Sequence, residues 1–153
     1  MKESKLTQHQ EQKVIVDERG MLDVPYLVLT LLWLAMVLLQ ACLPGEASYA
    51  ESNGVLALAH VVFPWLTHAV LRRAAHLIEY FLLGFFMAGT FCHARKFTLF
   101  KPMFFCLLTA LCDETVKIFI AGRVAQISDI WLDFAGAMAG ILLMWLISAI
   151  KRR

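Results

Sequence analysis

Between Leu111 and Gly140, acidic and basic side chains interrupt sequence that is otherwise apolar enough for lipid: Asp113, Glu114, Lys117, Arg123, Asp129 and Asp133. A second group, Arg72, His76, Glu79 and Tyr80, opens the apolar stretch that precedes them. A charged residue near the middle of a membrane helix costs about 2.5–3.5 kcal/mol on insertion scales, so uncompensated charges there mark a site. One chemistry open to these residue types is recognition of an amphiphile. Arg123 and Arg72 would hold phosphate or carboxylate oxygens, Gly122 would let a backbone approach closely, and Lys117, Glu79, Tyr80, Asp129 and Asp133 would complete the binding set. The other is acid–base catalysis on a lipid headgroup. Here Asp113 or Glu114 is the general base, His76 shuttles the proton and Arg123 stabilises developing negative charge. No nucleophile motif or metal-ligand set demands catalysis, so the sequence leaves open whether the chain is an enzyme. A third reading needs no ligand: buried acids and bases pair to fix the register of the helices that carry them.

The elements that position these residues follow from composition. In 153 residues, 60% are hydrophobic and the mean hydropathy is +0.68, too apolar for a soluble domain, where roughly half would be apolar. An all-α membrane protein is expected. The net charge of +2 is mild and no basic–aromatic interleaving suggests nucleic acid. Cys42, Cys92, Cys106 and Cys112 lack CxxC spacing and read as small apolar residues. No cofactor is expected.

Residues 1–23 form a polar tail, residues 24–150 a single membrane domain and residues 151–153 a basic end. Four spanning helices are expected at 26–43, 74–91, 102–120 and 129–150, each long enough to approach a ~30 Å hydrocarbon core. The first reads as a retained anchor, because its 23-residue polar leader suits neither the cleavage-like Ser48-Tyr49-Ala50 nor the lipoprotein-like run that ends at Cys42. Residues 55–71 are interrupted by His60, Pro64 and His68, so an interfacial or re-entrant segment is expected there, with Trp65 at headgroup depth. His60, His68 and His76 recur every eight residues, but no cysteine or carboxylate completes a ligand set with them, and no metal is expected.

At about 100° per residue, Arg72, His76, Glu79 and Tyr80 share one face of the second helix, and Asp129, Asp133, Gly136 and Gly140 share one face of the fourth. Gly136 and Gly140 form a small-xxx-small pair that brings a neighbouring backbone close, which turns the carboxylate face into the bundle. Lys117 follows Asp113 by four residues and Glu114 by three, so it can pair with either. Of the 14 Lys and Arg residues, those of the tail, of the 92–101 loop and of the C-terminal end fall on one side if all four helices span. That bias puts both termini in the cytoplasm. Arg72, Arg73, Lys117 and Arg123 then lie at outer depth, level with the acids.

His76-x-x-Glu79-Tyr80, Asp113-Glu114-x-x-Lys117, Gly122-Arg123 and Asp129-x-x-x-Asp133-x-x-Gly136-x-x-x-Gly140 together resemble the VanZ-like family of small bacterial membrane proteins. The resemblance covers about residues 74–150. The family pattern has Gln, Pro and Asn where this chain has Lys117, Ala121 and Asp133, which suggests that Lys117 and Asp133 pair across the third and fourth helices. It implies a multi-pass protein of the bacterial cytoplasmic membrane, with a role in envelope homeostasis or in glycopeptide or lipopeptide resistance. A membrane lipid or lipid-linked amphiphile is the expected partner. A homo-oligomer or the accessory subunit of a membrane complex is the alternative.

Overall fold

The computed structural model describes residues 23–46, 53–56, 60, 63, 67–92 and 99–151. Among them are four long helices: α1 (Val24–Ala41), α2 (His68–Phe91), α3 (Phe100–Ile118) and α4 (Ile127–Lys151). The Asp23 carboxylate caps α1 by accepting from Tyr26 N, with Pro25 in the first turn, where its missing N–H removes no bond.

Helix α2 starts at His68 rather than Ala74. Thr67 supplies an N-cap, its hydroxyl accepting from Val70 N at 3.4 Å, and Arg72 and Arg73 continue the helix instead of ending it. Arginine is a good helix former, so a charged pair does not by itself stop a helix. Of the 55–71 segment, residues 68–71 therefore belong to α2. Pro64 and Trp65, on which the interfacial or re-entrant expectation rests, lie outside the described residues, as do 1–22, the basic residues 93–98 and 152–153.

Three helices, α1, α2 and α4, are long and apolar enough to cross a membrane, not the four expected. Helix α3 falls short because Lys101, Asp113, Glu114 and Lys117 all lie on it. Asp113, Glu114 and Lys117 face inward and are buried, whereas its outer face exposes Phe104, Phe105, Leu108 and Leu111.

Neighbouring helices run antiparallel. The buried hydroxyls of Thr30 near the start of α1 and Thr90 near the end of α2 lie 3.0 Å apart, and Asp23 N donates to Thr90 O. Trp33 Nε1 donates to Glu79 O at 2.8 Å, further along the same seam. Helices α2 and α4 run parallel and make the most extensive contact. A Cβ on Gly136 would strike the Leu77 backbone, and one on Gly140 the backbone of Phe81 and Phe85. The small-residue pair thus does what its spacing predicts, and α2 is the partner. Gly84 contributes from the other side, since a Cβ there would strike the backbone of Ala137. Tyr80, Leu83, Cys106, Ala110, Ala137 and Ile141 fill the core between α2, α3 and α4. Cys106 is core packing, as its apolar neighbours predict, and no disulfide forms among the described cysteines. With this alternation, α1 begins and α4 ends at the same end of the bundle. Arg72, His76, Glu79, Asp113, Lys117 and Arg123 collect toward the opposite end.

Candidate functional site

The C-terminal end of α1, the N-terminal half of α2, the C-terminal end of α3 and the loop before α4 enclose a cavity of about 200 Å³. Val37, Ala41, Leu43, Val55, Leu71 and Ala75 form its apolar wall. Arg72, His76, Glu79, Asp113, Lys117 and Arg123 form the charged one. Six of the ten residues singled out for binding or catalysis therefore meet at one cavity, although they come from three separate stretches of the chain.

Each charged residue has an assignable environment. Lys117 Nζ donates to Asp113 Oδ2 and to Glu114 Oε1, both at 2.7 Å. Its partners are on its own helix, and the expected pairing with Asp133 does not form. Residues three and four apart on one helix are already neighbours, so the intrahelical contacts take the ammonium first. Glu114 has a second bond, Oε2 accepting from Gln126 N at 2.9 Å, which ties α3 to the loop that begins α4. With both oxygens engaged and the residue buried, Glu114 is a poor general base and a good structural tie.

Arg123 reaches back across the bundle. Its Nε donates to Leu43 O at 3.1 Å and its guanidinium also to Gln40 O, which accepts from Leu43 N as well, so it braces the end of α1. Gly122 makes this reach possible. Its φ of +75° is left-handed, and the chain there lies against Gly45, where a Cβ would collide with the Gly122 backbone. Gly45 N donates to Ala121 O at 3.1 Å across the same junction. Arg123→Ala is expected to remove about 1.5–3 kcal/mol, as for hydrogen bonds to a charged donor. Arg123→Lys should recover less than half, because an ammonium cannot present the same planar fork. Thermal melts of the three proteins in one detergent check this.

Asp133 is completely buried. Neither of its oxygens has a hydrogen-bond partner, and the same holds for the Tyr80 hydroxyl and His76 Nδ1. His76 Nδ1 lies 3.6 Å from Asp133 Oδ1 and 3.9 Å from Glu79 Oε2. Tyr80 belongs to the core rather than to the cavity wall. Asp129 is not among the cavity residues either. It sits half-exposed in the first turn of α4, favourable for a helix N-terminus, and accepts from the Ser128 hydroxyl at 3.3 Å. It shares its helical face with Asp133 but lies one turn nearer the open end, so it does not reach inside. His60 and His68 are exposed, and the eight-residue histidine repeat gathers at no common point.

Sequence reasoning missed Gly45, Gly84 and the carbonyls of Gln40 and Leu43. Gly84-x-x-x-Ala88 carries the same small-residue signal as Gly136 and Gly140, and both are buried. The carbonyl contacts have no sequence signature.

A family model described as VanZ/LLP1 matches residues 26–148. No curated protein matches the chain, and no solved structure does.

Proposed function

Because the chain belongs to the VanZ-like family, we propose that it is a multi-pass protein of the bacterial cytoplasmic membrane whose cavity binds the polar head of a lipid or lipid-linked amphiphile. The observation that carries this reading is the mixed cavity, its apolar lining from α1, Val55 and the first turns of α2 and its charged lining from α2, α3 and Arg123. A drug-sized ligand needs about 300–1,000 Å³. A cavity of about 200 Å³ suits a headgroup, with its tails outside along the exposed apolar surface of the helices. Arg72 and the part of the Arg123 guanidinium not spent on α1 meet phosphate or carboxylate oxygens.

In this reading α3 spans as well. Its 19 residues rise about 28 Å at 1.5 Å each, Asp113, Glu114 and Lys117 pair inside the bundle, Lys101 sits exposed at one end and the exposed face is mostly apolar. Both termini are then cytoplasmic and the cavity lies at outer depth. Envelope homeostasis, or resistance to a glycopeptide or lipopeptide, is the setting the family suggests.

One observation favours a second reading, an enzyme acting on that headgroup. Asp133 and His76 Nδ1 carry buried polar atoms with no internal bond, which acid–base chemistry would use.

Ala75→Trp tests the binding reading without touching a charge, since Ala75 lines the cavity and is exposed. Native mass spectrometry of protein released from gentle detergent should show a selective lipid on the wild type and its loss from Ala75→Trp at unchanged melting temperature. Retention of the same lipid by the filled variant would place the lipid elsewhere and end the proposal.

A further inference from the structure

We propose that His76, Asp113 and Asp133 form a binding site for a divalent transition-metal ion of the zinc type at the floor of the cavity. Each offers one ligand atom, and the three atoms lie within 4.8 Å of one another. They arrive from α2, α3 and α4, so the site exists only in the assembled bundle. The acids would be a mere cluster were they all paired, but Asp133 is wholly buried and neither of its oxygens has a partner. His76 Nδ1, 3.6 Å from Asp133 Oδ1, makes no hydrogen bond either.

The His76–Asp133 spacing is compatible with an ion held between them. At 3.6 Å, His76 Nδ1 and Asp133 Oδ1 are too far apart for a hydrogen bond. Two metal bonds of about 2.0–2.1 Å in tetrahedral geometry put their ligand atoms about 3.3 Å apart, so this pair needs to move by only a few tenths of an ångström. Lys117 holds Asp113 through Oδ2, and one oxygen of Asp113 is among the three ligand atoms. The charges around the site favour a cation too. Glu79, Asp113, Glu114 and Asp133 outnumber Arg72, Lys117 and Arg123 in and beside the cavity. One imidazole with two carboxylates suits zinc, manganese or ferrous iron better than magnesium or calcium, which take oxygen alone. Three protein ligands leave a position open toward the cavity, the arrangement of a metal that meets a ligand rather than one that only braces a fold. The sequence hides this set. Only one member of its visible histidine repeat, His76, takes part, and the acids that join it are 37 and 57 residues further along the chain.

This inference does not rest on the headgroup reading, and its test uses metal alone. Full-length protein in non-ionic detergent, stripped with chelator, is titrated with Co²⁺ as a spectroscopic stand-in for Zn²⁺. About one equivalent should produce a visible ligand-field band that Zn²⁺ then displaces. Asp133→Asn and His76→Gln should each weaken the band's Co²⁺ affinity at least about tenfold, the lower end of what second-shell losses alone cost. His68→Gln, at the exposed start of α2, should leave it unchanged. If Asp133→Asn does not fold, His76→Gln decides, because that side chain is only partly buried. Absence of a saturable band in the wild type overturns the proposal. So does an unchanged affinity in His76→Gln, or loss of the band in His68→Gln. A lipid that stays bound while the band is absent would end the metal site alone, and a band without a co-purifying lipid would end the headgroup reading alone.

Discussion

Lys117→Met should cost the protein about 3–5 kcal/mol, because it removes one member of a buried ion cluster and leaves the other two charged. The ammonium contacts both Asp113 and Glu114 at 2.7 Å, and all three residues are at most 4% exposed. Methionine keeps the length of the side chain and its stem packing, so the loss reports charge rather than volume. Converting the whole cluster separates the two contributions. A triple variant, Asp113→Asn with Glu114→Gln and Lys117→Met, removes the unpaired charges and should regain most of the stability, since replacing a buried ion cluster as a unit is often neutral. Melting temperatures in a single detergent compare the three proteins. A single variant as stable as wild type, or a triple variant no better than the single, would show that the cluster does not hold α3 in place.

Gly140→Leu should be the most damaging change on the α2–α4 seam. The first atom of any side chain at this position lands on the backbone of Phe81 and Phe85, which cannot rotate away as a side chain can. The helices must separate along their length, and the loss should lie at or above the upper end of the about 1–3 kcal/mol usual for overpacking. A fall in melting temperature on the order of 10 °C is expected at about 2–4 °C per kcal/mol. Ala139→Leu is the control, one residue earlier on the same helix but exposed. It adds the same kind of bulk to the lipid-facing side and should be nearly silent. Equal melting temperatures for the two variants would mean that α2 and α4 do not meet as described.

The helices were legible in the sequence because long apolar runs and the glycine spacing are local signals. Gly136 and Gly140 predicted a close backbone neighbour, and only its identity, α2, needed the structure. The gathering of Arg72, His76, Glu79, Asp113, Lys117 and Arg123 at one cavity was also legible, since alternating helices of similar length bring those stretches to one end. Pairings were not. Lys117 had three carboxylates within plausible reach, and which of them it takes depends on helix rotations of a few tens of degrees. Arg123 reads as an anion-binding residue by type, yet two of its donors go to carbonyls whose position depends on where α1 stops. The start of α2 was misjudged because a charged pair after an interrupted apolar run looks like an end, while Thr67 as a cap is a subtler cue.

The reach of Arg123 to Gln40 and Leu43 also sets an order of events during synthesis. The residues that complete the end of α1 lie some 80 positions downstream of it. At about 5–20 residues per second, the ribosome takes on the order of ten seconds to make them. Through that interval α1 has only its local C-terminal bonds, from Cys42 N and Leu43 N, and lacks the two contacts from Arg123. The clasp closes only when the final hairpin arrives. A chain interrupted before Gly122 therefore lacks the brace on its first helix as well as the whole of its last one.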